Sequence, residues 1–193
     1  MTKITQHGQL AVGIVRGMLE HSRTSSGERI PTNLNRLCDE SLRLAYQSLR
    51  AKDRSLNAAL ATDFFVGLPP VIVVGAEVGR VLLNLFTNAF YAVRQRQQHG
   101  VEGYQPWVGV RTVLLNQQVQ IQDPDNGTGM SAVVQAKIFQ PFFTTKPAGE
   151  GTGLGLSLSY DIIVQGHGGS PVVESLEGMG STFFIGLPLS GLA

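Results

Sequence analysis

Apolar residues at Ala11, Ile14, Val15, Met18 and Leu19 recur with the three-and-four spacing of an amphipathic helix, predicted over about Thr5 to Thr24. The polar stretch Ser25-Ser26-Gly27-Glu28-Arg29-Ile30-Pro31 then ends in proline and reads as a linker, dividing the chain into units 1–27 and 28–193. Helical spacing resumes from Thr32 to Lys52 through Leu34, Leu37, Cys38, Leu42, Leu44, Ala45 and Leu49, with Thr32 as the expected cap. Leu56 to Phe64 and Val71 to Val74 are strand-like and flank a Gly-Leu-Pro-Pro turn. Glu77 to Gln98 predicts a helix that is apolar around much of its circumference. Val108 to Leu115 and Val119 to Gln122, joined at Asn116-Gln117, predict a hairpin, with a loop beginning at Asp123-Pro124. Ser131 to Glu150 carries no long periodic run. A helix over Leu154 to Gln165 and strands over Pro171 to Ser175 and Ser181 to Leu187 complete the pattern.

Grouped helices and hairpin-linked strands predict an α+β class, with helices on one face of a mixed or antiparallel sheet. At 193 residues, 42% hydrophobic and 15% charged, the chain suits one main core plus an appendage. Its net charge of +1, from 15 basic and 14 acidic residues without long runs, leaves no footprint for nucleic acid or an anionic membrane. The one cysteine, Cys38, excludes an intrachain disulfide and a cysteine-rich metal site and fits a reducing cytoplasm. No apolar run approaches the roughly 20 residues that span a bilayer.

The segment Gly149-Glu150-Gly151-Thr152-Gly153-Leu154-Gly155-Leu156-Ser157 runs straight into a predicted helix, so its N–H groups can meet an anion such as phosphate, or it is a flexible glycine-rich cap. It fits neither the Walker nor the dinucleotide spacing. In Asp125-Asn126-Gly127-Thr128-Gly129-Met130, a carboxylate at a strand end precedes two glycines; it can accept from an exocyclic amine such as adenine's, or mark an ordinary turn. Asn84 and Asn88 sit four apart on an otherwise apolar helix, where Asn88 can offer an oxygen to Mg²⁺, or both can cap loop backbone.

In this order the segments resemble the ATPase domain of the family that unites histidine kinases, DNA gyrase, heat-shock chaperones and mismatch-repair proteins, the GHKL superfamily. Asn84 and Asn88 resemble its asparagine box, and Asp125 to Gly129 its first glycine box. Ile138 to Lys146, IFQPFFTTK, is similar to its phenylalanine box, Gly151 to Gly155 to its second glycine box, and Glu177 to Phe183 to its closing motif. The resemblance covers about Thr32 to Pro188 and implies a two-layer α/β sandwich of the histidine-kinase type that binds ATP with Mg²⁺. By it Asp125 takes the adenine amine, Asn88 the metal, and Lys146 with Gly151, Thr152, Gly153, Leu154, Gly155 and Leu156 the phosphates. It also assigns Asn84, Tyr91, Gly127, Gly129, Met130, Phe143, Thr144, Thr145 and Thr182 to the ATP site. Residues between Met130 and Gly151 would form a mobile lid with Phe139, Phe142 and Phe143 as apolar anchors. Tyr91 stands where many histidine kinases carry lysine, which leaves more of the phosphate contact to Lys146.

Relatives that hydrolyse ATP or phosphorylate serine resemble each other in having glutamate where this chain has Asn84. Water and serine need a general base, whereas neutral imidazole already carries a nucleophilic lone pair. Asn84 therefore favours transfer to histidine over a self-sufficient ATPase that couples hydrolysis to conformational change. Gly13 to Arg23 looks like the second helix of a histidine kinase's dimerisation hairpin, a single N-terminal bundle helix in a protein that pairs as a homodimer. The family's phosphoacceptor motif, His-Glu-x-x-Asn-Pro, is absent; His21 is the substitute this helix offers, with His7 behind it on the same helix, but Glu20-His21-Ser22-Arg23 does not continue the motif, and His99 and His167 read as surface or turn residues. The implied partners are ATP, a histidine-bearing helix of the same or a partner chain, and a response-regulator receiver domain. The implied setting is the cytoplasm, as the cytoplasmic part of a membrane-anchored sensor.

Overall fold

The structure, a computed structural model, describes residues 27–189. The N-terminal helix expected over Thr5 to Thr24, with His7 and His21, lies outside the described residues.

Helix α1, Leu34–Lys52, starts at Asn33 rather than Thr32: the Asn33 side chain accepts the Arg36 N–H at 3.0 Å. Thr32 instead ends a short strand β1, Ile30–Thr32, antiparallel to β3, Val71–Val73. The segment read as linker is thus partly sheet, and three residues are too few for a period-2 pattern to show. The Arg29 guanidinium donates to the Gly166 carbonyl and ties this segment to the π-helical turn over Ile162–Gly166, 137 positions later in the chain.

Helix α2, Gly75–Gln98, buries Val78, Val81, Leu82, Leu85, Phe86, Ala89, Phe90 and Val93, rows that pack against both α1 and the sheet. That sheet has five strands in the order β2 (Ala59–Asp63), β4 (Trp107–Leu115), β5 (Gln118–Asp125), β7 (Gly180–Pro188) and β6 (Ser170–Leu176). It is mixed, since β2 runs parallel to β4 and the other neighbours are antiparallel. Helices cover one face, giving the expected two layers. A four-residue helix α3, Ala132–Gln135, follows β5, and α4, Gly155–Asp161, passes into a π-helical turn over Ile162–Gly166.

The loop expected at Asp123-Pro124 does not form there. Strand β5 continues to Asp125, and Pro124 pairs with Thr182 of β7. Toward β4 the ladder omits Gly109 and Val110, which sit where Pro124 has no N–H to give. Gly109 makes room for the ring, for a Cβ there would lie 3.3 Å from Pro124 Cγ. His167 also departs from expectation. It is buried, accepts the Val74 N–H at its Nε2 (3.1 Å), and so donates from Nδ1 to the Ile162 carbonyl at 2.9 Å, stapling the π turn to the start of α2.

Asp123 shares the helix-facing side of β5 with Val119 and Ile121, and neither carboxylate oxygen has a hydrogen-bond partner. Burial first, and then the charge of Asp125, push its carboxyl well above the usual carboxylate range. Burial likewise pushes the Cys38 thiol up, with help from Asp123 and Asp39.

A folded-state pKa above the unfolded value of about 3.9 means that Asp123 costs the fold least below that pH, and that the stability present there is lost as pH rises toward the folded pKa. Asp123→Val is expected to stabilise the domain by about 1–3 kcal/mol. The gain should grow between pH 4 and pH 7, as urea denaturation across that range would measure.

Candidate functional site

A cavity of about 360 Å³ opens between α2, the turn after β5, the segment from α3 to α4, and β7. Its deep end holds Asp125, nearly buried, whose Oδ1 accepts the Gly127 N–H at 2.7 Å. Burial raises this carboxyl to about 6, against the pull of amide bonds from Gly127 and Ser181. The loop backbone lies tight against α2: a Cβ on Gly127 would come within 2.6 Å of Ala92. Gly129, with φ of +62°, would place a Cβ 2.0 Å from the Leu176 carbonyl oxygen.

This turn is held from behind. Asn126 accepts the Trp107 N–H at 2.9 Å and donates to the Gln105 carbonyl at 2.8 Å. Arg96 and the Tyr104 hydroxyl both donate to the Asn126 carbonyl, at 2.8 and 3.0 Å, with the Arg96 guanidinium 4.8 Å from the Tyr104 ring centre. Burial raises that hydroxyl to about 12, so it remains a donor. Farther on, the Met130 N–H donates to Ser175 Oγ at 2.8 Å, and Gln135 Nε2 reaches the Met130 carbonyl at 2.9 Å.

Along α2, Asn84, Asn88 and Tyr91 form one stripe facing the cavity. Asn84 donates from Nδ2 to Ser159 Oγ at 3.0 Å, and a Cβ on Gly155 would collide with its Oδ1 at 2.4 Å. Asn88 Oδ1 accepts from Lys146 Nζ at 2.7 Å, and that ammonium lies 4.5 Å from the Tyr91 ring centre. Burial lowers the Lys146 pKa, while Glu150 acts to raise it. Burial first, and then the charge of Glu150, raise the Tyr91 hydroxyl's pKa, while Arg94 acts to lower it.

The glycine run is packed rather than open. A Cβ on Gly153 would sit 2.4 Å from the Phe142 carbonyl carbon, and one on Gly151 would meet Thr144 Oγ1 at 2.7 Å. Of the three expected anchors, Phe139 packs against the core and beside Tyr160, and Phe143 packs against the core while lining the cavity. Phe142 does not anchor: it is 53% exposed with φ of +67°.

The cavity brings together Asn84, Asn88, Tyr91, Asp125, Gly129 and Met130 with Phe143 to Lys146, Gly151 to Gly153, Gly155 and Leu156. Gly127, Leu154 and Thr182 are not in its wall. Thr182 pairs with Pro124, whereas Ser181 pairs with Asp125 and does line the cavity, so strand alternation sends Thr182 to the other face of the sheet. Ser181, Phe183, Thr128, Val134, Ile138 and Glu150, with Thr87, Ala89 and Ala92 of α2, complete the wall; none is assigned to the site individually by the sequence, although Ser181, Phe183, Thr128, Ile138 and Glu150 lie within its motifs. The alternation of β7 would reveal Ser181 and Phe183 once its register against Asp125 is known.

Among the described residues no group of three His, Cys, Asp or Glu could hold a metal. Asn88 nonetheless fits one oxygen of a magnesium shell completed by water and phosphates, because that oxygen already holds a cation, the Lys146 ammonium.

Residues 74–191 match a family model described as histidine kinase-, DNA gyrase B- and HSP90-like ATPase. Sensor histidine kinase ZraS of Escherichia coli K12 is 38% identical over 158 residues, 82% of this chain and 30% of ZraS. Signal transduction histidine-protein kinase AtoS of the same strain is 34% identical over 177 residues, 92% of this chain and 27% of AtoS. The chain thus spans less than a third of either relative. The catalytic domain of histidine kinase ThkA is similar in structure, with a TM-score of 0.64 and 28% identity over 84% of this chain and 96% of that one.

Two glycines with positive φ should respond differently to alanine. Gly149 faces open space, so Gly149→Ala carries only backbone strain, about 1 kcal/mol. Gly129→Ala adds a collision with the Leu176 carbonyl and should cost about 3 kcal/mol, a contrast that urea denaturation of the two variants would read directly.

Proposed function

The chain belongs to the histidine kinase-, DNA gyrase B- and HSP90-like ATPase family, and from that premise we propose that it is the ATP-binding catalytic part of a two-component sensor histidine kinase. The observation that carries the reading is the convergence, on one cavity, of a buried carboxyl, an amide stripe and a packed glycine run, with an amide rather than a carboxylate at position 84. An asparagine cannot take a proton from water or serine, and a histidine nucleophile does not require it to. The related sequences named as sensor histidine kinases support the same choice.

In this reading Asp125 accepts from the adenine amine through its outer oxygen, its Oδ1 being engaged by Gly127. Lys146 and the lid glycines meet the phosphates, and Asn88 supplies the protein oxygen for Mg²⁺. Bound there, Mg²⁺ would neutralise phosphate charge. The chain's task is positioning: it orients the γ-phosphate for in-line attack by a histidine carried on a dimerisation helix of the same or a partner chain. The phosphoryl group then passes to a response-regulator aspartate, in a protein that acts as a homodimer.

Replacing Asp125 by Asn or Asn88 by Ala should weaken Mg·ATP binding about 10- to 100-fold, as expected for losing a charged or metal-linked contact. Calorimetry showing undiminished binding in both variants would overturn the site. Steady phosphate release by the chain alone, without any histidine-bearing partner, would instead favour a self-sufficient ATPase.

The Asp125 carboxyl, raised to about 6, adds a pH signature. Its ionised form is the stronger acceptor, so ATP affinity should hold above about pH 7 and fall by up to about tenfold per unit below pH 6. Asp125→Asn should abolish that slope along with most of the affinity.

A further inference from the structure

The Lys146 ammonium is held by neutral groups on two sides. Asn88 Oδ1 accepts from it at 2.7 Å, and the Tyr91 ring lies 4.5 Å from it, well within cation–π range. Asn88 and Tyr91 are three residues apart on α2 and therefore neighbours on one face. Lys146 is seated at its base as well: its backbone N–H donates to Thr144 Oγ1 at 3.1 Å, and Gly151 leaves the space its methylenes use, since a Cβ there would lie 3.2 and 3.3 Å from Lys146 Cβ and Cδ. Glu150 also lines the cavity and acts on this charge from a distance, but no carboxylate forms an ion pair with the ammonium, which leaves it able to meet phosphate. An ammonium has three donors, and Asn88 takes one of them.

We propose that Asn88 and Tyr91 form a cation cradle in which the Lys146 ammonium stands in for the divalent metal, so that lysine and metal compete for a single amide oxygen. The inference rests on the nucleotide-site reading above. Magnesium requires its oxygen ligands at roughly 2.1 Å. A metal ion and an ammonium on one oxygen would face each other across a few ångströms with like charges. Lys146 must therefore leave Asn88 when a metal takes that oxygen, and Tyr91 sets how strongly it resists. Tyr91 is a positioning residue, acting on phosphate and metal only through Lys146. Two consequences follow for the protein: the nucleotide binds without metal, its phosphates met by Lys146, and added Mg²⁺ improves affinity less than it would if Asn88 stood bare.

Calorimetry of the full chain with adenylyl imidodiphosphate, a non-hydrolysable ATP analogue, in EDTA and then in saturating Mg²⁺ gives a ratio of affinities that tests this. The wild type should bind in both conditions. Lys146→Met should lose about tenfold in EDTA and raise the magnesium ratio by about tenfold. Tyr91→Leu should raise the ratio about threefold, while Tyr91→Phe, which keeps the ring, should match the wild type. The proposal is overturned if the wild type binds only with Mg²⁺, or if Lys146→Met and Tyr91→Leu bind with the wild-type ratio. It is also overturned if Tyr91→Phe shifts the ratio as much as Tyr91→Leu. Absence of wild-type binding in both conditions would instead remove the nucleotide reading beneath it. A purely structural role for Tyr91 would move both affinities together and leave their ratio unchanged.

Discussion

Helix α2 is pinned between two places where no methyl group fits. Gly127 lays its backbone against Ala92 near the C-terminal half of the helix, and Gly155 abuts Asn84 one stretch earlier. Those contacts bring a strand-end loop and a helix start onto one helix face, and the cavity is the space left between them. The other faces of α2 supply Phe86, Phe90 and the valines of the core. One helix thus carries both the packing and the polar stripe, which couples the site to the stability of the whole domain. Close packing makes such a helix costly to shift.

The charges within this frame are few and placed against burial. Asp125 keeps one oxygen on its own loop, and Asp123 lies two residues earlier on the same face of β5 with no hydrogen-bond partner at all. Two carboxyls so placed cannot both ionise cheaply, and the deeper one carries the larger burden. At the other end, Lys146 meets Asn88 and Tyr91, so its charge is stored on neutral groups instead of being cancelled. Lys146, with Glu150 acting on it, and the buried Asp125 belong to different walls of one cavity, an arrangement that suits a ligand with a base at one end and phosphates at the other.

Much of this was legible in the sequence because backbone demands leave glycine behind. Gly127, Gly129, Gly151, Gly153 and Gly155 all stand where a side chain would collide, and their spacing survives as a motif. Helices α1 and α2 were legible through their periodicity. Strand β1 was not, being three residues long. Asp123-Pro124 imitates a loop because a buried acid and a proline are both rare in a central strand, and only the opposing Gly109 explains how they fit. His167, flanked by glycines, imitates a turn although its ring is buried between α2 and the π turn. Thr182 and Ser181 could not be told apart without register, since one position decides which face of β7 a side chain meets.

The account stands or falls on where the γ-phosphate goes. The direct measurement supplies the chain with a helix hairpin bearing the family's phosphoacceptor histidine, adds Mg²⁺ and γ-labelled ATP, and follows label bound to protein. The account predicts label that is acid-labile and alkali-stable, as a phosphohistidine is, and that is lost when Asn88 or Asp125 is replaced. Label released only as free phosphate at the same rate with or without the hairpin would contradict it.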